Sequence, residues 1–453
     1  MTDRITSLPA PVLAWAAEQG KGAITRLDRH VARREAWIVD ITDPTGNVLE
    51  GFLRIDRNPR DNDHISLRRE ATICHALRPL GIPVPTLIAW NEEHHAALFS
   101  REPGRADIDA LQDTGQQRRV MEHFIDIIAR LHQLGEDELA LGDELGEKPT
   151  TAAACALDDV DRQLAQFKGF LETYTDPLMT YGVQWLRRYA PEHVARISLV
   201  QGDTGPVNFM FKDDRVTAVV DWEWGHWGDP MEDLGNICVR EFWNPSGGLK
   251  GLFRRYEQAS GIKYNRFTAQ YYRIQQNVRG MIPIHAACQY MPAGESLAWY
   301  LCYRYIGDRA TCEALADAMG IAIKKPTLPE ESAPDTFTKA IRRHLRDDIE
   351  PALKSTFARS RAADVAILVE CVDRRHRYEG ELQATECEEV SRLLNTAIID
   401  HTEAMTALNE AIATQALSDE QLIPYLARRA YRDEWLHWPL TRLYPDREWS
   451  ALD

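Results

Sequence analysis

The sequence lacks several features that would place the protein outside the ordinary globular class. It contains no run of about 18 apolar residues, so no membrane-spanning helix is expected. Its first residues have no apolar core of the kind that signal peptides carry. Its eight cysteines include no Cys-x-x-Cys pair, which favours reduced thiols over a zinc or disulfide framework. We therefore expect a soluble, cytoplasmic protein.

Positive charge is also scarce, because 53 Lys and Arg face 69 Asp and Glu and give a formal net charge of −16. Nucleic acids and anionic membranes are bound through an excess of basic residues, so neither is expected as a partner. What the chain does have is length and an ordinary composition. Its 453 residues are 44% hydrophobic and 27% charged, which is sufficient for two or three domains with full cores.

The most informative stretch lies between residues 197 and 230. An apolar run, Ile197–Val200, predicts a buried strand that ends just before Asp203. A hairpin should follow, and its second strand should deliver Asp221 beside Asp203. Together with Asn208, these side chains would offer several oxygen atoms at one place. Such oxygens suit Mg²⁺, and an aspartate without a cation of its own can accept a proton from a hydroxyl group.

This stretch resembles the catalytic core of the aminoglycoside phosphotransferase-like kinases, whose pattern is roughly H-G-D-x-x-x-x-N, a hydrophobic strand, D-x-E, G-D-P and D-L. The matching positions are Gly202, Asp203, Asn208, Asp221, Glu223, Gly228, Asp229, Pro230, Asp233 and Leu234. The resemblance implies an O-phosphotransferase that uses ATP and Mg²⁺, with Asp203 as the catalytic proton acceptor and Asn208 and Asp221 as metal ligands. Gln201 departs from the pattern, which usually has a scaffold His there. The alternative is a hairpin with surface carboxylates, since Asp and Asn are common in turns.

Residues 22–102 predict a small sheet with one helix. In the family that the chain resembles, a basic residue on the third strand holds the phosphates and a Glu on the helix orients it. Arg54 and Glu70 fall at those places, with Arg54 replacing the usual Lys. The alternative is a surface Arg and a solvated helix Glu. The expected elements are strands at 24–31, 36–42 and 48–55, a helix at 63–78, and two further strands on either side of 92–95.

The same resemblance assigns the connection between the lobes. Residues 98–104 resemble the hinge, where the backbone around Ser100 and Glu102 would bind adenine. The loop between the first two strands carries Arg33 and Arg34 but no glycine, so it is either a phosphate contact or a solvated turn. His226 is either a second proton-transfer group or a structural hydrogen-bonding residue.

The expected fold class is α+β. It consists of a bilobal protein-kinase-like fold, with a small β-rich N-lobe and a mainly helical C-lobe, followed by an all-α C-terminal domain. Six apolar residues that step by four from Phe337 to Phe357 predict one helix at the start of that domain, and the domain is a candidate surface for homo-oligomerisation. The predicted limits are 1–104 for the N-lobe, 105–323 for the C-lobe, 324–334 for a linker rich in Pro and charge, and 335–453 for the helical domain.

The resemblance leaves the acceptor open. Arg54, the segment 271–274 and the appended helical domain most resemble the branch whose members are fused or adjacent to acyl-CoA dehydrogenases, which implies a hydroxyacyl-CoA as the small-molecule hydroxyl substrate. The alternatives are an aminoglycoside-type antibiotic, or a degenerate kinase that serves as a binding or scaffold protein. Five arginines of the helical domain are either solvated or receive an anionic group such as a CoA phosphate: Arg342, Arg343, Arg346, Arg359 and Arg361.

Overall fold

The computed structural model describes residues 8–30, 35–57, 66–291 and 296–452. The chain forms two compact units. The first comprises Met1–Cys155, His193–Ala269 and Ser450–Asp453, and the second comprises Ala156–Glu192 and Gln270–Trp449. Residues 324–334 lie inside the second unit, and the domain limits predicted from the sequence stay a prediction.

A helix packed on a five-stranded antiparallel sheet opens the first unit. Along the sheet the strands are ordered 23–30, 36–42, 48–55, 96–100 and 87–91. Val12 and Ala16 of the helix share a buried cluster with Val39, Ile41 and Leu53 of the sheet, which explains the inward apolar residues of the strands. The predicted β-rich lobe is confirmed. Its elements are α1 (Ala10–Gln19), β1 (Ala23–His30), β2 (Ala36–Thr42), β3 (Val48–Ile55), β4 (Leu87–Asn91) and β5 (Ala96–Ser100).

The helix predicted from residue 63 is α2 (Leu67–Leu77). Ser66 fixes its start, because the Ser66 hydroxyl accepts a hydrogen bond from the Arg69 amide at 3.1 Å. Residues 58–65, with the first part of the predicted helix, lie outside the described residues, as do Arg33 and Arg34. The phosphate contact suggested for those two arginines therefore stays a prediction.

The catalytic stretch forms short strands around a tight hairpin. Strand β6 (Ser198–Val200) pairs antiparallel with β9 (His226–Gly228), and β7 (Phe209–Lys212) forms a hairpin with β8 (Arg215–Val219). The hairpin predicted from the sequence is present. This arrangement places the loop after β6 and the segment after β8 at the same end of the hairpin.

Helices make up most of the remaining chain. A short helix forms in the acidic segment that starts at residue 135, where the Glu138 carboxylate accepts a hydrogen bond from the Gly135 amide at 2.7 Å. In chain order the helices are α3 (Thr114–Leu131), α4 (Glu136–Leu139), α5 (Ala152–Gln166), α6 (Lys168–Leu171), α7 (Pro177–Arg188), α8 (Pro230–Trp243), α9 (Leu252–Ser260), α10 (Arg266–Tyr290), α11 (Leu297–Met319), α12 (Thr336–Arg343), α13 (Thr356–Leu394), α14 (His401–Ala413), α15 (Asp419–Leu436) and α16 (Trp438–Thr441).

The single helix predicted from Phe337 to Phe357 is wrong. Helix α12 passes into a π-helical turn at His344–Ile349 and a 3₁₀ turn at Glu350–Ala352, and then the chain leaves the helical conformation at Leu353. Pro351 explains the end, because it lacks the amide hydrogen that would continue the helical ladder. The chain reverses there, and α13 runs back along α12.

The cysteines agree with the expectation from the sequence, since all eight are free thiols and seven of them are buried. Across the described ranges, no helix combines the length and the apolar character that a membrane crossing requires.

Candidate active site

The loop after β6 and the β7–β8 hairpin bring Asp203 and Asn208 into contact in the first unit. The Asn208 side-chain nitrogen donates to the Asp203 backbone oxygen at 2.6 Å and to Asp203 Oδ2 at 3.1 Å. Because its nitrogen is engaged with Asp203, the Asn208 amide oxygen is the atom left to face a cation. The contact is local and short-range, so it is built into the turn that joins β6 to β7.

Arg54 on β3 links the small sheet to this loop region. Its guanidinium bonds the Glu70 carboxylate of α2, lies 3.4 Å from Glu223 Oε2, and lies 3.7 Å from Asp221 Oδ1. Burial alone would lower the pKa of Arg54, but the charges of Glu70, Asp221 and Glu223 outweigh it and raise the pKa above its ordinary value. Arg54 is therefore a permanent cation beside the carboxylate of Asp221.

Asp221 has the conformation and exposure expected of a ligand-binding residue. Its φ of +63° and ψ of +59° place a non-glycine residue in the left-handed region, a strained conformation that is concentrated at functional sites. Its side chain is 37% exposed, compared with 14% for Asp203. The carboxylate is therefore open to an incoming group although its neighbours Glu70 and Glu223 are buried.

Gln201, the departure from the family pattern, holds the two aspartate-bearing segments together. Its buried side-chain nitrogen donates to the backbone oxygens of Val220 at 2.9 Å and Asp221 at 3.0 Å. Its side-chain oxygen accepts a hydrogen bond from the Asp203 amide at 3.3 Å. A glutamine thus supports both Asp203 and Asp221, which accounts for a scaffold role at this position without a histidine.

Asp233, in the first turn of helix α8, binds the loop that follows β6. Its carboxylate accepts hydrogen bonds from the amides of Gln201 at 3.0 Å and Gly202 at 3.1 Å, from the Thr204 hydroxyl, and from His132 Nε2 at 3.0 Å. Burial would raise the pKa of Asp233, but these bonds from His132, Thr204 and Gln201 outweigh it and hold the pKa below the usual range. The buried carboxylate is thus charged and fixes the backbone on either side of residue 202.

The structure adds one site residue that sequence reasoning missed. Arg240, on α8, donates from Nε to Asp203 Oδ1 at 2.8 Å and from Nη2 to Asp203 Oδ2. Such a two-point contact fixes both the position and the charge of a carboxylate. Asp203 therefore has a cation partner, which differs from the expectation from the sequence of an aspartate without one. One signal was available in the sequence, because Asp233 and Arg240 are seven residues apart and therefore share a face of a helix.

Gly205 allows α8 to approach the loop closely enough for this contact. A Cβ atom at Gly205 would lie 2.6 Å from the Arg240 Cβ atom and 3.3 Å from the Ile237 Cα atom, and the φ of Gly205 is +138°. Only glycine fits such a close approach in this conformation without displacing the helix. The spacing between Asp203 and Arg240 therefore depends on the glycine two residues after the aspartate.

The side chains of the predicted hinge residues Ser100 and Glu102 form hydrogen bonds with each other and with a neighbouring segment. The Ser100 hydroxyl donates to Glu102 Oε1 at 2.6 Å and accepts from the Thr86 amide at 2.7 Å. Beyond the hinge, the backbone of Arg105 forms two hydrogen bonds with Phe211 of β7, at 2.9 and 2.8 Å. The structure therefore places Ser100 and Glu102 beside each other, and their described side-chain hydrogen bonds join these two residues and Thr86.

His226 serves a structural role in the described contacts. Its Nδ1 lies 2.8 Å from the Trp224 backbone oxygen, and its Nε2 lies 3.1 Å from Glu232 Oε2. Both ring nitrogens are thus engaged within the segment that follows Asp221. The structural interpretation of this histidine is the one that the geometry supports.

The donor set fits a hard divalent cation. Asn208 and Asp221 offer an amide oxygen and a carboxylate, and Mg²⁺ is commonly held by one or two such groups together with the phosphate oxygens of its substrate. Arg54 adds a fixed positive charge on the same side, which suits an anionic phosphate. The site can therefore bind a metal-loaded phosphate beside a carboxylate that Arg240 holds in place.

A small sheet with an Arg–Glu pair, joined by a hinge to a loop and hairpin that carry Asp, Asn and Asp, defines a kinase-like phosphotransferase. The model of the phosphotransferase enzyme family matches residues 28–269, slightly more than half of the 453 residues, and the chain belongs to this family. The predicted class, an ATP-dependent small-molecule kinase, is confirmed by this membership.

Curated relatives are also similar to part of the chain. Acyl-CoA dehydrogenase family member 10 of Mus musculus is 25% identical over 207 residues, which are 42% of this chain and 18% of the relative. Acyl-CoA dehydrogenase family member 11 of Rattus norvegicus is 38% identical over 212 residues, which are 44% of this chain and 25% of the relative. The chain thus spans a quarter or less of the length of these two proteins.

A solved structure confirms the fold. A Ralstonia eutropha protein assigned as an aminoglycoside phosphotransferase aligns with a TM-score of 0.52 at 20% identity, over 67% of this chain and 94% of its own. At this identity the likeness shows the fold alone. It confirms the bilobal kinase-like architecture that the sequence predicts.

Proposed function

We propose that the protein transfers the γ-phosphoryl group of ATP to a hydroxyl group of a small molecule, with Mg²⁺ bound to the nucleotide. The observation that carries the proposal is the contact set in the first unit, in which Asn208 bonds Asp203 and Arg54 approaches Asp221. These are a proton acceptor, two oxygen ligands and a fixed cation, the groups that phosphoryl transfer requires.

Each residue has one task in this proposal. Asp203, held by Arg240, orients the acceptor hydroxyl and accepts its proton as the phosphoryl group moves in line. Asn208 and Asp221 hold the metal, and Arg54, positioned by Glu70, contacts the phosphates. When bound, Mg²⁺ neutralises charge on the phosphate oxygens. The backbone near Ser100 and Glu102 receives the adenine.

The acceptor that we propose is a hydroxyacyl-CoA. The support is the similarity to acyl-CoA dehydrogenase family members 10 and 11, whose names refer to acyl-CoA, together with the replacement of Lys by Arg54. An aminoglycoside-type antibiotic is the alternative acceptor. We also propose a cytoplasmic location, which the eight free thiols support.

The Asp203→Ala variant tests the chemistry. We expect it to bind Mg-ATP with nearly the affinity of the unaltered protein, while turnover falls by about two to four orders of magnitude, the usual contribution of a general base. Asp113→Ala is a matched control, since Asp113 is an exposed helix cap elsewhere in the first unit. A fully active Asp203→Ala protein would refute the assignment.

Calorimetry tests the metal ligands independently of turnover. Asn208→Ala and Asp221→Ala should weaken binding of a nonhydrolysable ATP analogue in the presence of Mg²⁺ and change it little in the presence of EDTA. The same titration addresses the scaffold alternative, because a degenerate kinase would bind no nucleotide at millimolar concentration.

A panel of acceptors tests the substrate. We expect ADP release that depends on a hydroxyacyl-CoA and is absent with the matching acyl-CoA that lacks the hydroxyl group. ADP release only with aminoglycosides would overturn the CoA proposal while it left the kinase assignment intact.

A further inference from the structure

Helix α2 contacts both the small sheet and the segment that follows β8. Glu70, in the first turn of the helix, bonds Arg54 of β3. Arg69 is only 8% exposed, and its guanidinium donates to the backbone oxygens of Gly225 at 3.4 Å and Glu144 at 3.1 Å. Two consecutive residues of one helix thus bind different parts of the first unit.

The segment after β8 packs directly against α2 at a glycine. A Cβ atom at Gly225 would overlap the Ile73 Cδ1 atom, so this approach depends on the missing side chain. The φ of Gly225 is −57°, which any residue adopts, and the requirement for glycine is therefore steric. Ile73 is four residues after Arg69 and lies on the same face of the helix. That face of α2 therefore meets Gly225 through a packing contact and a hydrogen bond.

These contacts form a closed ring around the proposed nucleotide site. Arg54 of the sheet bonds Glu70 of α2 and lies 3.4 Å from Glu223 Oε2 of the segment after β8. Arg69, the residue before Glu70, bonds Gly225 of that same segment. The sheet, the helix and the segment therefore each contact the other two, and a movement of α2 would break contacts with both.

A second anchor for α2 comes from the 3₁₀ turn at Gly142–Leu145. Besides its backbone contact with the helix, Glu144 places its carboxylate 3.3 Å from Arg68 Nε. A little further along the chain, the Lys148 ammonium lies 5.0 Å from the ring centroid of Trp227 on β9. The acidic segment after α3 therefore links α2 to β9.

We propose that Arg69 is a positioning residue that keeps the nucleotide site assembled before the nucleotide binds, because it holds α2 where Glu70 meets Arg54. This inference rests on the proposed function, in which Arg54 contacts the phosphates. Both hydrogen bonds of Arg69 leave the helix, and a charged donor makes a stronger bond than a neutral one. Their loss would therefore weaken the anchor at two points and allow Glu70 to separate from Arg54.

An anchor of this kind has a distinct kinetic signature. When α2 occupies its assembled position in only about a tenth of the molecules, the apparent Kd for Mg-ATP rises about tenfold, while kcat at saturation is kept because bound nucleotide restores that position. We therefore expect Arg69→Met to raise the KM for Mg-ATP about tenfold with kcat nearly unchanged. Arg69→Lys should recover part of the loss, since an ammonium group still donates to a backbone oxygen.

Arg78→Met is the matched control. Arg78 ends the same helix and donates to the Val84 backbone oxygen at 2.8 Å, a contact that stays within the β-rich lobe. This variant should keep the KM for Mg-ATP. An unchanged KM in Arg69→Met, or a rise of the same size in Arg78→Met, would overturn the proposal.

A pair of substitutions tests the packing contact. Gly225→Ala should also raise the KM for Mg-ATP, because its methyl group displaces Ile73 and with it α2. Ile73→Val lacks the Cδ1 atom, so it should have little effect alone and should restore the KM when it is combined with Gly225→Ala. A double variant as impaired as Gly225→Ala would show that the effect does not act through α2, contrary to the proposal.

Hydrogen exchange measures the anchor without nucleotide, and so separates this proposal from the kinase assignment. Residues 67–77 should exchange faster in Arg69→Met than in the unaltered protein, with α3 as the internal reference. Equal exchange of α2 in the two proteins would overturn the anchor in an active kinase. Faster exchange in a protein that binds no Mg-ATP would support the anchor and refute the proposed function.

Discussion

Arg240 forms a bidentate salt bridge with Asp203, in which Nε lies 2.8 Å from Oδ1 and Nη2 donates a hydrogen bond to Oδ2. The contact joins helix α8 to the loop that carries the proposed proton acceptor. A bidentate arginine fixes the plane of a carboxylate as well as its distance, which a lysine cannot do. Arg240 is therefore a positioning residue for Asp203.

Arg240→Ala should lower kcat about tenfold to a hundredfold, or about 1.4 to 2.8 kcal/mol in the activation free energy, while the KM for Mg-ATP changes little. The reason is that Asp203 loses its orientation and the nucleotide site keeps all its groups. Steady-state kinetics with a turned-over acceptor measure the split, and Arg240→Lys should recover only part of the loss.

Arg118→Ala provides the comparison for Arg240, because Arg118 is a partly exposed arginine of the same unit that pairs with Glu122. It should leave kcat unchanged. Equal losses in the two variants, or an unchanged kcat in Arg240→Ala, would contradict the positioning role.

Arg54→Lys should raise the KM for Mg-ATP several-fold although it restores the residue usual in the family. The guanidinium contacts Glu70 and Glu223 from two separate nitrogens, Nη1 and Nη2, whereas a lysine offers a single ammonium group that must serve both carboxylates from one position. Arg54→Met should raise the KM further, since it removes the charge. Nucleotide titration of the unaltered protein and both variants checks this order of affinities for Mg-ATP. A lysine variant that binds Mg-ATP more tightly than the unaltered protein would show that nucleotide binding does not require the guanidinium group of Arg54.

Gln201→Leu should lower the free energy of unfolding by about 1 to 3 kcal/mol, because it removes the donor for the partly buried backbone oxygens of Val220 and Asp221. Gln201→His should cost less, since an imidazole can still donate one hydrogen bond. Urea unfolding measures both, and equal stability of the Leu variant and the unaltered protein would argue against the scaffold role of Gln201.

In the Glu386→Gln variant, the free energy of unfolding should depend less on pH in the acidic range than it does in the unaltered protein. Burial would raise the pKa of Glu386, but Arg429 at 2.9 Å and hydrogen bonds from His401 and Tyr425 lower the pKa from 4.5 to about 2. A lowered pKa adds stability above pH 4.5, and this contribution disappears as the pH falls toward 2. Its size is at most about 3 kcal/mol.

Urea unfolding at neutral pH and near pH 3 measures this contribution. The Gln variant should be less stable than the unaltered protein at neutral pH, and the difference should shrink in acid. Glu388→Gln is the matched control, because Glu388 is exposed on the same helix two residues away. A difference of constant size at both pH values would contradict the charge-based explanation.

The β-rich lobe and the catalytic hairpin could be predicted because their signals are local. Strand alternation and turn residues fixed β1 to β3 and the segment from Phe209 to Val219, and the spacing from Asp203 to Asp221 revealed the family. These patterns depend on neighbours within a few residues. The sequence therefore contained enough to locate the candidate site.

What could not be predicted depends on contacts between distant residues. Arg240 is 37 residues from Asp203, and His132 is 101 residues from Asp233, so no spacing rule joins them. The exposure of Phe337 and Ile341 on α12 was also hidden, since periodicity gives the width of an apolar stripe but not the side it faces. The helix break at Leu353 followed from Pro351, whose effect the regular step of four obscured.

The chain between the small sheet and the catalytic hairpin is anchored on both sides of Glu102. Arg101 is anchored to the sheet through Asp40 at 2.8 Å and Glu50 at 2.7 Å. Two residues further on, the Pro103 carbonyl accepts a hydrogen bond from the Thr217 hydroxyl of β8. The backbone of Arg105 pairs with the backbone of Phe211 of β7. A single residue, Glu102, thus separates the anchor on the sheet from the anchor on β8, so a change in backbone length at this position would displace the strands that present Asn208 and Asp221.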